Sequence, residues 1–313
     1  MLFVFHHIIF DGISSQIFIE DLERFYQKED KTSLVSSSLN SLDFQDFVLM
    51  QKVMLASEEG EEHKKYWLGQ LQDVDGVLDL PLDKPRPIYP TFKGSSFEHE
   101  IKGALVHQLR SLAQRNNTTL FSVMLSAFKG LLYRYCNVPN ISVGIPMAGR
   151  MNYNFEKIIG NFMNIVVIKS GLAPDLPFNI LLQNVQDTVF EAMEHSDYPL
   201  FTLTQDLRAL NSNSQLFNVS FYFQNWLDTP ENVEESSLII DTYKGLHQEG
   251  ESDLTLEIVE EDEKYLLCFK YNPDLFEEET LIQMKDNYLN VLSCVTEDEE
   301  VKLADIELLR KKR

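Results

Sequence analysis

Positive charge is scarce in this sequence. The 27 Lys and Arg residues are outnumbered by 49 Asp and Glu residues, which gives a formal net charge of −22 at pH 7. Binding to nucleic acid or to an anionic membrane surface needs clustered Lys and Arg side chains. We therefore expect no nucleic-acid partner and no membrane partner, and we interpret the acidic surface mainly as a source of solubility.

Cysteine is also rare. Cys136, Cys268 and Cys294 lie in apolar or aromatic surroundings, and no two of them form a C-x-x-C pair. A sparse, odd number of cysteines is typical of reduced, buried thiols in a cytoplasmic protein. The first residues lack the basic region and cleavage site of a signal peptide, and no apolar run approaches the length of a membrane span. We therefore expect a cytoplasmic location.

The sequence does contain a mixed series of helical and strand-like segments. Hydrophobic residues make up 44% of it, and 21 Phe and 12 Tyr promise a substantial core. Residues 1–10 have the pattern of a buried strand, and a helix capped by Ser14 or Ser15 is predicted to follow. Residues 28–41 indicate a loop, and the proline-rich residues 73–93 indicate an extended crossover. The interpretation is a mixed α/β (α+β) chain with about seven or eight strands.

The remaining predicted elements alternate along the chain. Helices are predicted over residues 42–57, 58–71, 104–116, 118–135, 178–194 and 277–295, with Thr118 as the cap of the helix over 118–135. Strands are predicted over residues 95–101, 140–145, 162–168, 217–226, 238–243, 254–259 and 265–271.

Residues 5–12 read F-H-H-I-I-F-D-G and place two adjacent histidines before an Asp-Gly turn. Side chains alternate across a strand, so we expect His6 and His7 to face opposite ways. Asp11 is placed to fix the turn through a hydrogen bond or an ion pair, and Gly12 allows backbone or ligand to come close. A neutral imidazole accepts a proton from an amine or alcohol near physiological pH.

Two other interpretations of the histidines stay open on local grounds. A histidine on an apolar strand is usually a hydrogen-bonded core residue. Adjacent histidines can also bind a metal, but their opposed directions make this awkward, and no Cys or carboxylate spacing completes a site. We therefore predict no metal site.

Eight segments of the chain, taken in order, match the signature motifs of one enzyme family. They are H-H-x-x-x-D-G at 6–12, F-Q-D-F-V-L-M-Q at 44–51, Y-W at 66–67 with L-P-L-D-K-P-R-P at 80–87, V-G-I-P-M-A-G-R at 143–150, I-G-N-F-M-N at 159–164, H-S-D-Y-P at 195–199, D-L-T-L at 253–256 and Y-N-P-D-L-F at 271–276. The first motif alone is expected by chance on the order of once in two thousand such sequences. On these motifs the chain resembles the condensation domains of nonribosomal peptide synthetases, in the chloramphenicol acetyltransferase-like superfamily.

The resemblance implies a fold of two acetyltransferase-like lobes with mixed sheets and a tunnel between them. Residues 1–93 would be a remnant of the N-terminal lobe plus the crossover. Residues 94–300 would form the C-terminal lobe, and residues 301–313 would start the linker to an adenylation domain. The family has a long segment with an R-H-x-x-L-R motif before its histidine pair. None is found here, so we expect a truncated domain with an incomplete N-terminal lobe.

The resemblance also implies the chemistry. Donor and acceptor carrier proteins, beside an adjacent adenylation domain, would present thioesters on 4'-phosphopantetheine, and no cofactor would be bound directly. An amide would form between them in nonribosomal peptide or hybrid polyketide–peptide biosynthesis. His7 would act as the general base, or would position the amine and stabilise developing charge, with His6, Asp11 and Gly12 as support.

Further site residues follow from the same resemblance. Asp11 resembles a structural acid that pairs with an arginine, for which Arg150 is a candidate beside an N-terminal arginine of the family. Asn164 lies in a segment similar to the tunnel floor and is a candidate to bond tunnel-facing backbone. Gln224 and Asn225, at a predicted strand end, are candidates to line the tunnel. For His195, which lies between a helix and a proline, we expect capping or packing rather than catalysis.

Two other functions stay open from the sequence. One is a catalytically inactive remnant that acts as an interaction module, because the segment before the histidine pair is missing. The other is a related epimerization or acyltransferase domain that shares the histidine motif. The donor, the acceptor and the choice of an amine or alcohol nucleophile are not set by these residues.

Overall fold

The computed structural model describes residues 2–27, 42–71, 74, 77–150, 152–210, 215–224, 248–250, 252–261 and 263–308. Their helices are α1 (Gly12–Gln27), α2 (Phe44–Leu55), α3 (Glu58–Leu71), α4 (Ala104–Arg115), α5 (Leu120–Cys136), α6 (Phe178–Glu194), α7 (Leu200–Ala209) and α8 (Glu278–Glu297). Their strands are β1 (Lys93–Lys102), β2 (Asn140–Met147), β3 (Asn164–Gly171), β4 (Val219–Gln224), β5 (Gln248–Glu249), β6 (Leu254–Glu260) and β7 (Lys264–Tyr271).

All of these strands belong to one mixed sheet with the order β3-β2-β4-β6-β7-β1-β5. β4 runs parallel to both β2 and β6, and the other neighbouring pairs are antiparallel. Parallel neighbours need a crossover, and the chain between β2 and β4 supplies one that contains β3, α6 and α7. The sheet is thus built from distant parts of the chain.

A layer of helices packs on the sheet, in the order α6, α5, α8, α4. Helix α5 lies at its centre, where every residue from Ser122 to Tyr133 is buried. The Thr119 side chain caps the start of α5 by accepting a hydrogen bond from Ser122 N, and Asn137 ends it in the left-handed conformation. The core therefore lies between this layer and the sheet.

The crossover, described at residue 74 and over residues 77–92, is held against the sheet by polar contacts. Asn218, buried before β4, accepts a hydrogen bond from Leu78 N and donates one to Leu78 O. Arg86 forms two hydrogen bonds with the Asp253 carboxylate, at 2.6 and 2.8 Å. The motif over 80–87 therefore packs against the motif over 253–256, which gives both a structural reason.

Most predicted elements are confirmed to within a few residues, including the helix over 178–194 and the irregular crossover. The predicted caps of two helices are wrong. Asp11, rather than Ser14 or Ser15, accepts a hydrogen bond from the backbone of the first turn of α1, and Thr119 rather than Thr118 caps α5. The predicted strand over 238–243 and the predicted loop over 28–41 lie outside the described residues.

Two elements differ from the sequence prediction. Residues 1–10 were predicted as a strand, but residues 2–6 have no regular structure and His7–Ile9 forms a 3₁₀ turn. A strand needs a neighbour for its backbone groups, and in the part of the chain that the structure describes none pairs with this segment. Helix α7 was not predicted. Its buried Leu203 and Leu207 and the proline before its first residue were the available signals.

Candidate functional site

The two histidines lie on an exposed turn ahead of α1. The His6 and His7 carbonyl oxygens accept hydrogen bonds from the backbone N–H groups of Ile9 and Phe10. The Nδ1 atom of His6 accepts another from Ile8 N at 3.1 Å. Both histidines are solvent-exposed, and because they lie on a turn rather than a strand, the alternation from which opposite directions were expected does not apply. The His7 imidazole remains open to a substrate.

Asp11 is buried and is bound from three sides. Its carboxylate forms a bidentate ion pair with Arg150, at 2.5 and 3.0 Å, and both side chains are only 4% exposed. It also accepts hydrogen bonds from Ser14 N, Ser14 Oγ and Phe162 N. Burial alone would raise the pKa of Asp11, but Arg150 and these hydrogen bonds together lower it. Asp11 is therefore a fixed anion, and Arg150 is its partner among the described residues.

Arg150 connects this anion to the loop over 158–162. Its Nη2 atom donates to Ile158 O at 3.1 Å, and its guanidinium carbon lies 4.2 Å from the centre of the Phe162 ring. Gly149, just before it, has a φ of +66°, and a Cβ there would lie 1.9 Å from Phe162 O. Only glycine fits this close approach. The end of the motif over 143–150 therefore places Arg150 between Asp11 and the loop over 158–162.

Gly12, the remaining residue of the Asp-Gly turn, is the first residue of α1. Its carbonyl oxygen accepts a hydrogen bond from the Ser15 side chain at 2.5 Å. It is solvent-exposed, so nothing in the described chain crowds it.

Asn164 is occupied by backbone contacts. Its side-chain amide donates to Ser196 O and Tyr198 O, both at 2.8 Å, and its oxygen accepts from Leu200 N at 3.0 Å. These bonds satisfy most of the amide's capacity and fix the turn that leads into α7. The structure thus gives Asn164 the role of holding this turn beside the loop over 158–162.

Gln224 ends β4, next to a buried acidic residue. Its amide donates to the Glu257 carboxylate, which also pairs with Lys270 at 2.7 Å. Glu257 is 8% exposed. Asn225, the other predicted tunnel residue at this strand end, lies outside the described residues.

Besides the contact between the motifs over 80–87 and 253–256, the sequence motifs meet in space in two groups. Phe44 and Phe47 of α2 pack on Phe162, so the motif over 44–51 joins the Asp11–Arg150 group. In the second group Tyr66 stacks on His195 with ring centres 4.0 Å apart, and Trp67 Nε1 donates to His195 O at 2.9 Å. The order of the motifs along the chain gave no sign of this pairing.

His195 forms a histidine pair that the sequence did not predict. Its Nδ1 atom lies 2.8 Å from the Nδ1 atom of buried His63, so one ring donates and the other accepts. Burial first, and then the neighbouring His63, lower the pKa of His195, although Glu191 and Glu194 act the other way. His195 also ends α6, which agrees with the expected capping and packing role. A Y-W motif preceded by a histidine at position 63 was the only available signal.

An open cleft lies between the two groups. It is lined by Phe47, Met54, Glu59, Gly149, Phe155 and Asp197, among others. Burial raises the pKa of Asp197, and the neighbouring His63 partly opposes that shift. His7 does not line this cleft.

The described ranges contain neither a metal-binding cluster nor a membrane-spanning helix. No cluster of three or more His, Cys, Asp or Glu side chains is arranged to hold a metal ion there. No helix there has the length and apolarity needed to cross a membrane.

A family model described as "Condensation domain" matches residues 1–313. Among curated proteins, polyketide synthase PksN of Bacillus subtilis is 34% identical over 309 residues. Gramicidin S synthase 2 of Brevibacillus brevis is 33% identical over 307 residues. Each alignment covers 97% of this chain but only 6% and 7%, respectively, of these much longer relatives.

Solved structures with low sequence identity share the fold. A four-domain nonribosomal peptide synthetase, holo-AB3403, matches with a TM-score of 0.82 at 23% identity, covering 98% of this chain and 24% of that one. The X-domain from teicoplanin biosynthesis matches with a TM-score of 0.82 at 19% identity, covering 97% and 70%. The first condensation domain of the calcium-dependent antibiotic synthetase matches with a TM-score of 0.77 at 16% identity, covering 97% and 66%. The predicted chloramphenicol acetyltransferase-like fold is confirmed.

Proposed function

We propose, because this chain belongs to the condensation-domain family, that it catalyses amide-bond formation between two thioesters presented by carrier proteins. The donor is an acyl or peptidyl thioester, and the acceptor is an aminoacyl thioester, each on a 4'-phosphopantetheine arm. The curated relatives include peptide synthetases and a polyketide synthase, so the products belong to nonribosomal or hybrid polyketide–peptide pathways. The carrier proteins and an adjacent adenylation domain are the proposed partners.

The reaction forms one bond, breaks one bond and transfers one proton. The acceptor amine attacks the donor thioester carbonyl, the C–N bond forms, and the C–S bond breaks. The proton lost by the amine is balanced by the proton gained by the departing thiolate. The chain therefore has to bring the two reactants together and to assist the proton transfer, and no metal or redox group is required for that balance.

His7 is the residue we assign to the reacting amine. Its exposed imidazole can accept a proton or hold the amine in place. Proton transfer by such a group typically contributes about 10²–10⁴-fold, and orientation of two tethered reactants can supply roughly 7–11 kcal/mol of the barrier. Positioning is therefore the larger of the two effects. Asp11 and Arg150 support it structurally, while Asn164 and Gln224 border the proposed tunnel.

The observation that carries this proposal is the buried ion pair between Asp11 and Arg150. It joins the histidine motif to the loop over 158–162, across 139 residues of sequence. A buried, bidentate carboxylate that also accepts a backbone N–H is poorly suited to take up a proton. The motif thus contains one fixed acid and two exposed histidines; His6 Nδ1 already accepts a hydrogen bond from Ile8 N, and the base we assign is His7.

A loading assay tests the activity. Donor and acceptor carrier proteins are charged separately, mixed with the chain, and analysed by intact-protein mass spectrometry. We expect the acceptor carrier to gain the mass of the donor acyl group while the donor carrier returns to the free thiol. Reactions without the chain, and with an uncharged acceptor carrier, are the controls for spontaneous transfer.

The same assay separates the competing functions. The chain covers 66–70% of several solved relatives of single-domain size, so a second arm adds the remaining part of one of them as a separate polypeptide. An acceptor amino acid that gains no mass but is found by chiral chromatography, after release from its carrier, to have changed configuration would indicate an epimerization domain. If neither a mass change nor a change of configuration were found in either arm, the proposed condensation activity would be contradicted and an interaction module would be favoured.

A further inference from the structure

Ser14 has an unusual number of polar contacts for a serine in the first turn of a helix. Its side chain is fully buried, and its hydroxyl oxygen lies 2.8 Å from Asp11 Oδ1 and 2.8 Å from Gly160 O. The same oxygen lies 3.0 Å from Gly160 N and 3.2 Å from Arg150 Nη2. A first-turn serine that only starts a helix needs none of the contacts to Gly160.

These contacts use the whole bonding capacity of the hydroxyl group. The Gly160 N–H and the Arg150 guanidinium can only donate, so they occupy both lone pairs of the oxygen. The single hydroxyl proton then goes either to the Asp11 carboxylate or to Gly160 O. Ser14 Oγ therefore accepts a hydrogen bond from Gly160 N and lies within hydrogen-bonding distance of Gly160 O, although residue 160 is 146 positions away in the sequence.

The loop reaches Ser14 because residue 160 is a glycine. A Cβ at this position would lie 2.4 Å from the Phe44 ring, so a side chain would push the loop or α2 away. Asp11 binds Phe162 N and Arg150 binds Ile158 O on either side of it. Ser14 thus lies between two other contacts to the loop over 158–162, one made by Asp11 at the start of α1 and one made by Arg150.

We infer that Ser14 is a positioning residue, whose hydroxyl holds the His7 turn in register with the loop over 158–162. His7 itself is exposed, and the turn leads through Asp11 directly into α1. The position of His7 relative to the loop over 158–162 is therefore set by how the first turn of α1 is anchored. This inference rests on the proposed function for its catalytic consequence, but the anchoring can be measured without any substrate.

The test compares Ser14→Ala with Ser220→Ala, which removes another buried serine hydroxyl. Ser220 is 2% exposed and forms one hydrogen bond of 2.7 Å with Ser252, on β4 and away from the histidine turn. Ser14→Thr keeps the hydroxyl group and serves as the conservative variant. All three are examined by thermal unfolding, by hydrogen–deuterium exchange and by amide-forming kinetics with carrier proteins.

We expect Ser14→Ala to lower kcat about 10- to 100-fold, the loss typical of a small misplacement of a reacting group, with the KM for each carrier changed less than about twofold. Ser14→Thr should recover most of that loss. Ser220→Ala should lower the unfolding temperature by a comparable amount and leave kcat within about twofold. An equal loss of kcat in Ser14→Ala and Ser220→Ala would contradict the inference.

Hydrogen–deuterium exchange measures the anchoring independently of activity. Ser14→Ala should speed exchange in both residues 6–10 and residues 158–162, whereas Ser220→Ala should leave both segments unchanged. Unchanged exchange in residues 6–10 of Ser14→Ala would overturn the inference even if the kinetics agreed. If the wild-type chain forms no amide but Ser14→Ala still shows these exchange changes, the proposed function would be contradicted and the anchoring role would be supported.

Discussion

The histidine motif over 6–12 combines a buried carboxylate, Asp11, which pairs with Arg150, and an exposed imidazole, His7. The carboxylate and the guanidinium form two hydrogen bonds with almost no access to water. His7, four residues earlier, is exposed and has no such constraint. One end of the motif is therefore structural, and the other end is free for chemistry.

Replacing Asp11 by Asn should destabilise the protein strongly. Removing one partner of a buried ion pair leaves the other charge uncompensated, which typically costs about 3–5 kcal/mol. The measurement is urea denaturation at pH 7. Asp21→Asn is the matched control, because Asp21 pairs with Arg24 on the surface of α1 and such exposed pairs contribute roughly 0–1 kcal/mol.

The stabilisation from the Asp11–Arg150 ion pair should depend on pH. The folded-state pKa of Asp11 is lowered from its ordinary 3.8, so the stabilisation is complete above that value and is lost as the pH falls through the folded-state pKa. The difference between wild type and Asp11→Asn should therefore shrink below about pH 4. A difference that stays constant down to pH 2, or one no larger than that of Asp21→Asn, would contradict this account.

The residues of the site were only partly predictable. The spacing of the histidine motif and its family resemblance identified Asp11, and they offered Arg150 as its partner. Ser14 and Gly160 were not identified as a pair, because a contact across 146 residues leaves no local pattern. The histidine pair was missed for the same reason, since His63 and His195 meet only when α3 packs beside the end of α6.

Helix α5 is the element on which the core depends most, and it contains a buried charge. Lys129 is fully buried, and its ammonium donates to Ile141 O, Ile168 O and Ser170 Oγ at 2.6–3.1 Å. These three acceptors match the three N–H bonds of the group and tie α5 to β2 and β3. Burial lowers the pKa of Lys129 from 10.5 to about 7.

We predict a pH-dependent stability that Lys129→Met removes. Between pH 7 and 10.5 the unfolded chain binds a proton at this lysine that the folded chain does not, so the unfolding free energy rises with pH in that window. The stability of Lys129→Met relative to wild type should therefore fall as the pH rises from 7 to 10.5. Chemical denaturation across this range checks it, with exposed Lys65→Met as control. Parallel curves for wild type and Lys129→Met would contradict it.

The contact between α3 and the end of α6 should respond to mild acid. His63 and His195 share one hydrogen bond, and the Glu62, Glu191 and Glu194 carboxylates also act on His195. Because the folded-state pKa of His195 lies below its ordinary 6.5, the unfolded chain takes up the proton first as the pH falls. Stability should therefore decrease below about pH 6.5.

Replacing His195 by Phe tests this directly. The aromatic ring can still stack on Tyr66, but it cannot titrate. We expect the urea midpoint of His195→Phe to vary less between pH 7 and pH 5 than that of wild type. Exposed His107→Ala should keep the wild-type pH dependence. Equal pH dependence in His195→Phe and wild type would show that the pair is not the sensitive group.

At the scale of elements, long periodic segments were predictable and segments that depend on distant partners were not. Helices such as α6 and α8 carry their own amphipathic pattern, so their existence followed from the sequence. Helix α7 is short and begins after a proline, and the turn over 7–9 depends on what its backbone can pair with. The apolar run over residues 1–10 has the composition of a buried strand, but composition does not supply a neighbouring strand.

At the scale of the whole molecule, the central sheet has neighbouring strands that come from distant parts of the chain. The mixed α/β class and the family followed from the order of the motifs, but the strand order did not, because two parallel pairings depend on long crossovers. The division of the chain at residue 93 stays a prediction. Trp67, Leu71, Leu78 and Leu80, which precede it, share the core with the sheet, as do Leu303 and Ile306.

The most direct test of the account is the rate of a single turnover in wild type, His7→Ala and His6→Ala. Both histidines are exposed on the same turn, so His7→Ala should leave stability unchanged and His6→Ala should cost only its hydrogen bond from Ile8 N. Only His7 is assigned to the reacting amine. With both carrier proteins preloaded and amide formation followed by mass spectrometry, we expect His7→Ala to slow the step by about 10²–10⁴-fold. His6→Ala should stay within about tenfold of wild type. Amide formation at the wild-type rate in His7→Ala would contradict the central claim.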